Sequence, residues 1–259
     1  MNETTEPLLA ADEPQAVTVY NAGGTSPLVL VADHAGNRLP RALGTLGLPA
    51  SELQRHIAWD IGIAGVAHSL ADALDAVLVR QNYSRLVIDC NRPPQSPAST
   101  PEISELTAIP GNIGLSAAAR TARERDIFRP YHRAIEQELD RRQKADPAAA
   151  LIALHSFTPV FKGNARAMHA AVLYHRDPSL AHRLLSLLRR EQGLIAGDNE
   201  PYFVSDATDF TIPVHGERRG LRHVLLEIRQ DLIAEPPGQR KWAALLARLL
   251  PEAYRQTTM

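Results

Sequence analysis

Short, β-rich apolar runs recur along the chain, each flanked by polar or turn residues. They are Leu28–Ala32, Ala76–Arg80, Leu86–Cys90, Leu151–Leu154, Ala171–Tyr174 and Val224–Ile228. Their length and composition predict buried strands of a central sheet. Between them the apolar period changes to that of a helix face. Ile61–Leu74 carries Ile63, Val66, Ala67, Leu70 and Leu74 on one side. Ser116–Lys144 places Ile127, Tyr131, Ile135 and Leu139 at four-residue spacing, with Pro130 set to kink or divide it. Asp177-Pro178 opens a helix with a Leu180, Leu184, Leu187 and Leu188 stripe that Gly193 closes, and a last helix spans Gln239–Tyr254. Strands alternating with helices predict an α/β three-layer sandwich, with a mixed, mostly parallel central sheet and helices on both faces.

Composition narrows this picture little. The 259 residues suit one large domain, read as residues 17–259, behind a flexible N-terminal arm of residues 1–16 rich in Glu, Thr and Pro. The 28 basic residues nearly balance the 29 acidic ones, so nothing calls for a nucleic acid or an anionic membrane. Cys90 is the one cysteine, which excludes an intramolecular disulfide. No apolar run approaches the roughly 20 residues of a spanning helix, and the acidic N-terminus is unlike a signal peptide. A cytoplasmic location is the expectation.

Ligands in open α/β folds gather beyond the carboxyl ends of strands, and these ends carry chemistry. Leu28–Ala32 runs into Asp33-His34, Leu86–Cys90 into Asn91-Arg92, and Leu151–Leu154 into His155-Ser156, while Val224–Leu226 runs into Glu227. Each residue alone has a structural reading: a hydrogen-bonded edge histidine, a solvated turn, the outward glutamate of an edge strand. Together they suit a Zn²⁺ site, or one for another divalent transition metal, because imidazole and carboxylate are its preferred ligands and a catalytic site keeps one position open. His34 and His155 supply two ligands. The third is Asp60, which also reads as a plain helix N-cap, with Asn37 and Asp33 as further candidates. No HExxH pattern is present. Glu227 fits a general base and acid, and Arg92 and Arg85 fit a carboxylate clamp or a carbonyl-polarising group. Arg166, in the loop after His155, is a further substrate-contact candidate.

The remaining candidates carry less. Cys90 reads as a small buried hydrophobe, and Ser156 lacks a nucleophile elbow. The stretch GDNEPYF is a rim loop or a structural turn, and His215, in IPVHGERRG, is placed on a mobile surface segment that could act as a lid.

The stretches DHAGNRLP, HIAWDIG, YSRLVIDCNRP, ALHSFTP, GDNEPY and LLEIRQDLI, in that order, give the chain its resemblance to the N-formylglutamate amidohydrolase family. The resemblance implies a fold similar to that of zinc carboxypeptidases and aspartoacylases. It also implies a metal on His34 and His155, Asn91 and Arg92 for the substrate carboxylate, and Glu227 as general acid and base. The sequence departs from the HxxE form by carrying Asn37 where a ligating glutamate would stand. The function so implied is metal-dependent hydrolysis of the amide of an N-formyl or N-acyl amino acid, a small carboxylate-bearing substrate. A metallo-carboxypeptidase acting on short peptides and a non-catalytic metal- or carboxylate-binding relative are the alternatives.

Overall fold

The structure is a computed structural model that describes residues 6–145 and 149–257. Seven strands form the main sheet: β1 (Val17–Tyr20), β2 (Leu28–Ala32), β3 (Val77–Gln81), β4 (Ala150–Phe157), β5 (Ala170–Leu173), β6 (Ala196–Asp198) and β7 (Arg222–Arg229). Their spatial order is β1-β3-β2-β4-β7-β5-β6. The central four, β3-β2-β4-β7, are parallel. At one edge β1 runs antiparallel to β3, and at the other β5 runs antiparallel to β7 with β6 parallel to β5.

Among the described residues, five helices of seven residues or more accompany the sheet: α1 (Ile63–Leu74), α2 (Ala117–Arg123), α3 (Arg129–Ala145), α4 (Ser179–Leu188) and α5 (Pro236–Arg255). Successive strand residues point to opposite faces, and the core divides accordingly. Leu28, Leu30, Ile152, Leu154, Val224 and Leu226 pack with α1, α4 and α5. Val29, Val31, Leu151, Ala153 and Leu225 pack with Ile135 and Leu139 of α3 on the other side. This is the expected three-layer sandwich with a mixed, mostly parallel sheet. Among the described residues, no helix is long and apolar enough to cross a membrane.

Four local expectations are corrected. First, Leu86–Cys90 is not a strand but a buried irregular segment. Its carbonyls are satisfied by side chains: Asn112 Nδ2 donates to Leu86 O at 2.9 Å and Arg123 Nη1 to Val87 O at 2.9 Å. An apolar run reports burial, and buried backbone needs partners without needing a sheet. Second, the helix over 116–144 is broken by a π-turn at Glu124–Phe128, just ahead of Pro130. Proline brings no N–H to the ladder and crowds the preceding turn, and the wider turn makes room for it. Third, His215 lies in a second π-turn, Ile212–Glu217, and is fully buried rather than on a mobile surface segment.

The fourth concerns the N-terminal arm. Residues 1–5 of it lie outside the described residues. The remainder is docked: Leu8 is buried and its N–H donates to Asp126 Oδ2 at 2.6 Å, while the Tyr83 hydroxyl donates to Pro14 O at 2.7 Å. Two edge strands, β1 and β6, were not visible as apolar runs because β1 is short and only partly buried and β6, Ala196-Gly197-Asp198, carries no large apolar side chain.

Candidate active site

β2 is buried throughout and ends at Ala32, where the chain turns and presents Asp33 and His34. Gly36 is required in this turn, because a Cβ there would lie 2.1 Å from the Asn82 carbonyl carbon. The His34 carbonyl accepts the Asp60 N–H at 2.9 Å, which ties two of the predicted ligands together through their backbones. Asp60 is not the N-cap of α1; that position is Gly62, at φ 82°, where a Cβ would meet the Ile233 carbonyl oxygen at 2.0 Å. The left-handed turn, open to glycine, leaves the Asp60 carboxylate free to face the strand ends.

His155 and Glu227 arrive from neighbouring parallel strands at the same level, since the register pairs Glu227 with His155. Both follow, two residues on, side chains that face α3 (Ala153 and Leu225), so both project from that face of the sheet. The result is a compact buried group. Ligand atoms of His34, Asp60 and His155 all lie within 4.8 Å of one another. His155 Nδ1 is 3.0 Å and His34 Nδ1 3.5 Å from Asp60 Oδ2, and the two imidazole centroids are 4.8 Å apart.

Behind each imidazole stands a second carboxylate. Asp33 Oδ2 bonds His155 Nε2 at 2.9 Å, and Asp89 Oδ1 bonds His34 Nε2 at 2.7 Å. Asp33 is itself held by the Tyr131 hydroxyl at 2.8 Å and the Thr211 hydroxyl at 2.7 Å. Asp89 is held by Arg85, whose Nε and Nη2 donate to Oδ2 at 3.1 and 2.6 Å. Sequence reasoning named Asp33 only as a spare ligand and did not single out Asp89. Their signal was adjacency, since Asp33 precedes His34 and Asp89 precedes the Asn91-Arg92 pair, but the pairing is a tertiary fact.

The electrostatics follow from this packing. Burial would raise the Asp33 carboxyl, yet the His155 bond and charge hold it down at about 2. Burial likewise opposes Asp60 and Asp89, and both end well below the usual carboxylate range, Asp60 through the two histidines and Asp89 through Arg85 and His34. Burial pulls His155 down, but the bonds to Asp33 and Asp60 push it well above its ordinary value. Glu227 behaves oppositely. Burial, with the Asp60 charge adding to it against the nearby cations, pushes it up to about 7. Among the described residues, neither its Oε2 nor His34 Nδ1 has a hydrogen-bond partner.

Those unpartnered atoms test whether the residues suit a metal. Two imidazole nitrogens and a carboxylate oxygen are a catalytic zinc donor set, and ligands about 2.0–2.1 Å from a tetrahedral centre lie about 3.3–3.4 Å apart. The Nδ1 atoms of His34 and His155 face Asp60 at comparable separations, with each Nε2 braced by a carboxylate, as metal-ligating histidines usually are. The residues therefore fit a divalent metal. Asn37 is engaged elsewhere, donating its amide to the Leu53 carbonyl at 2.7 Å.

A cavity of about 500 Å³ opens beside the group, lined among others by Arg85, Arg92, Asn91 and Glu227. Asn91 lines it with little side chain to spare: Oδ1 accepts the N–H groups of Phe210 and Thr211 at 3.2 and 3.0 Å, and Nδ2 donates to Asp209 at 3.1 Å. Arg92 donates Nη1 to the Thr208 carbonyl and stays partly exposed. Arg166 is set into an aromatic wall, 4.8 Å from the Phe161 ring centre and 4.9 Å from that of Tyr202. Cys90 is fully buried, and burial pushes its thiol well up, which suits a packing residue.

The chain is similar to several known proteins. A curated N-formylglutamate deformylase of Pseudomonas putida is 30% identical over 143 residues, 51% of this chain and 52% of that protein. The chain thus spans about half the length of the curated relative it matches. The crystal structure of a gene product from Agrobacterium tumefaciens superposes with a TM-score of 0.94 at 37% identity, over 97% of this chain and 100% of that one. The crystal structure of N-formylglutamate amidohydrolase from Ralstonia eutropha JMP134 shares the fold, with a TM-score of 0.67 at 19% identity over 94% and 100% of the two chains. The profile of the N-formylglutamate amidohydrolase family matches residues 26–234, a span that holds every residue of the buried group, and the chain belongs to that family.

Proposed function

We propose that the protein is a metal-dependent amidohydrolase that cleaves the amide of an N-acyl amino acid, with N-formyl compounds such as N-formylglutamate as the reference substrates. One observation carries the reading: the ligand atoms of His34, Asp60 and His155 converge beside a buried glutamate that has an unpartnered oxygen. A divalent metal such as zinc, held by those three side chains, would polarise the acyl carbonyl and lower the pKa of water to about 7.

Glu227 accepts a proton from the attacking water as the new C–O bond forms. It then gives that proton to the amide nitrogen as the C–N bond breaks, which releases a carboxylate and a free amine. A carboxyl poised at about 7 can do both at neutral pH. Asp33 and Asp89 orient the two imidazoles so that each Nδ1 faces Asp60. Arg92 offers its guanidinium edge to the substrate carboxylate, with Arg85 closing the wall between Asp89 and Asp60. Asp60 supplies the anionic ligand that Asn37 cannot, which favours catalysis over a merely binding relative.

The test is metal analysis of the purified protein, followed by assay of N-acyl amino acids and short peptides with and without a chelator. Turnover of the N-acyl compounds that stops on metal removal and returns on zinc addition supports the reading. Turnover that survives complete metal removal rejects it, and a preference for peptides moves the protein to the carboxypeptidase alternative.

A further inference from the structure

We infer that Thr211 and Asn91 are positioning residues that fix the two carboxylates bracing His34 and His155. The inference rests on the proposed metal site and extends it to the segment that holds its braces. The Asp33 side chain has no surface in water. An ionised carboxylate only accepts hydrogen bonds. Oδ1 takes the hydroxyls of Tyr131 and Thr211 at 2.8 and 2.7 Å, which leaves Oδ2 for His155 Nε2 at 2.9 Å. Three donors on two oxygens set the plane of the carboxylate, and through it the ring that turns Nδ1 toward Asp60. Thr211 stands at the start of the π-turn Ile212–Glu217, where a threonine ordinarily caps the turn. Its side chain makes no cap bond, and the hydroxyl serves an acid 178 positions away instead.

Asn91 decides where Thr211 stands. Its Oδ1 accepts the N–H groups of Thr211 and Phe210 at 3.0 and 3.2 Å, so both acceptor positions of the amide oxygen are taken. Nδ2 donates to Asp209 Oδ1 at 3.1 Å. The backbone N–H of Asn91 donates at 2.9 Å to Asp89 Oδ1, the oxygen that also bonds His34 Nε2 at 2.7 Å. One residue therefore touches both braces, Asp89 directly and Asp33 through Thr211. Asp33, Thr211 and Asn91 are all buried, and at that depth a lost bond leaves its partner unpaired. A packing role alone would cost stability and leave metal affinity untouched. A positioning role lowers metal affinity in the folded protein.

The experiment measures both. Zinc affinity of the metal-free protein is read by competition with a chromogenic chelator, beside urea unfolding, for Thr211→Val, Thr211→Ser and Asn91→Ala. Thr211→Val keeps the shape and deletes the hydroxyl, and should lower zinc affinity by about tenfold, the low end for a partner behind a ligand. Thr211→Ser returns the hydroxyl and should recover the affinity. Asn91→Ala should also lower it, with KM for N-formylglutamate at saturating zinc little changed. Combined with Thr211→Val it should cost less than the sum, because both act through Asp33. Tyr131→Phe deletes the other hydroxyl on Asp33 Oδ1 and keeps the ring, and gives the same reading should Thr211→Val not fold. Wild-type zinc affinity in the folded variants overturns the inference and leaves the metal reading standing. So does a raised KM with unchanged zinc affinity in Asn91→Ala, which would make that side chain a substrate contact. A wild-type chain that folds and binds no zinc overturns both.

Discussion

Among the described residues, two groups of histidine and acid have the spacing to hold a cation: His34, Asp60 and His155, and His175, Asp206 and Glu217. They differ in what already stands between the charges. In the second group Arg176 donates to both Asp206 and Glu217, so a guanidinium fills the place of a cation. That group is also wet, since the Asp206 side chain is half exposed and Arg176 more than half. In the first group Arg85 sits on Asp89 and reaches only the outer oxygen of Asp60, Oδ1, at 3.5 Å, while the Nδ1 atoms of both imidazoles face Asp60 Oδ2. Proximity of acid and histidine is common; a brace on the far side of each histidine and no cation in the middle mark out one group from the other.

His155→Asn should give the largest effect. It removes one of the proposed ligands and the imidazole that bridges Asp33 and Asp60. Metal content should fall to background. Turnover should drop by more than ~10⁴-fold, beyond the upper range for losing a general acid–base group alone. The matched change in the other group, His175→Asn, should alter neither. Elemental analysis and steady-state kinetics on both variants check this, and equal losses would erase the contrast.

Glu227→Gln comes next. It keeps the shape of the side chain and loses the proton shuttle, so kcat should fall by roughly 10²–10⁴ while metal content stays that of the wild type. Retained metal with lost turnover separates Glu227 from the ligands. Asp89→Asn should act more gently and in the opposite sense. It weakens the brace on His34, which lowers metal affinity by about 10–100-fold, read by competition with a chromogenic chelator. Asp206→Asn is the control in the second group and should leave metal affinity unchanged.

The contrast also shows what could be read from residue order. His34, His155 and Glu227 were legible because each follows an apolar run and a parallel sheet brings such ends together. Asp60 was legible as the third member of the group beside a reading as a helix N-cap, and the Gly62 turn ahead of α1 removes that second reading. The braces were hidden, because Asp33 serves the histidine 122 positions away rather than its neighbour His34. Leu86–Cys90 looked like a strand because apolarity measures burial and says nothing of what the buried carbonyls bond. Asn91 and Arg166 were sound by residue type, yet the 209–211 turn claims one and an aromatic wall the other.

A third pair of histidines sharpens the comparison. His132 and His215 are buried and stacked; His132 Nε2–H donates to the Cys90 carbonyl at 2.8 Å, and His215 Nε2–H donates to His132 Nδ1 at 2.9 Å. Among the described residues, no carboxylate bonds either ring. Asp33 is the acid whose charge favours protonation of both, opposed at His215 by Arg219, while Tyr131 packs against His132. Burial first of all lowers His132 to about 4 and His215 to about 3. Below the ordinary histidine value near 6.5, the unfolded chain takes up protons that the folded one refuses. The contribution of this pair is therefore full above about pH 6.5 and is lost as pH drops toward 3, by several kcal/mol at about 1.4 kcal/mol per unit. Urea unfolding at pH 7 and pH 4.5 should show the loss, and His215→Gln should flatten the slope by removing one of the two groups.

The smallest expected effect puts the contrast under the most direct strain. Arg176→Ala empties the second group of its guanidinium and leaves Asp206 and Glu217 facing His175, with His223 Nε2 3.7 Å from Glu217 on the other side. If the arginine is an ordinary exposed partner, its loss costs little stability, because solvent screens such pairs. Metal content should then stay at one ion per chain. A rise to two ions per chain, abolished by adding His175→Asn, would show that the arginine had been masking a second cation site. The presence of a guanidinium between the acids would then be no ground for telling the two groups apart, and the braces on His34 and His155 would be left as the sole structural distinction.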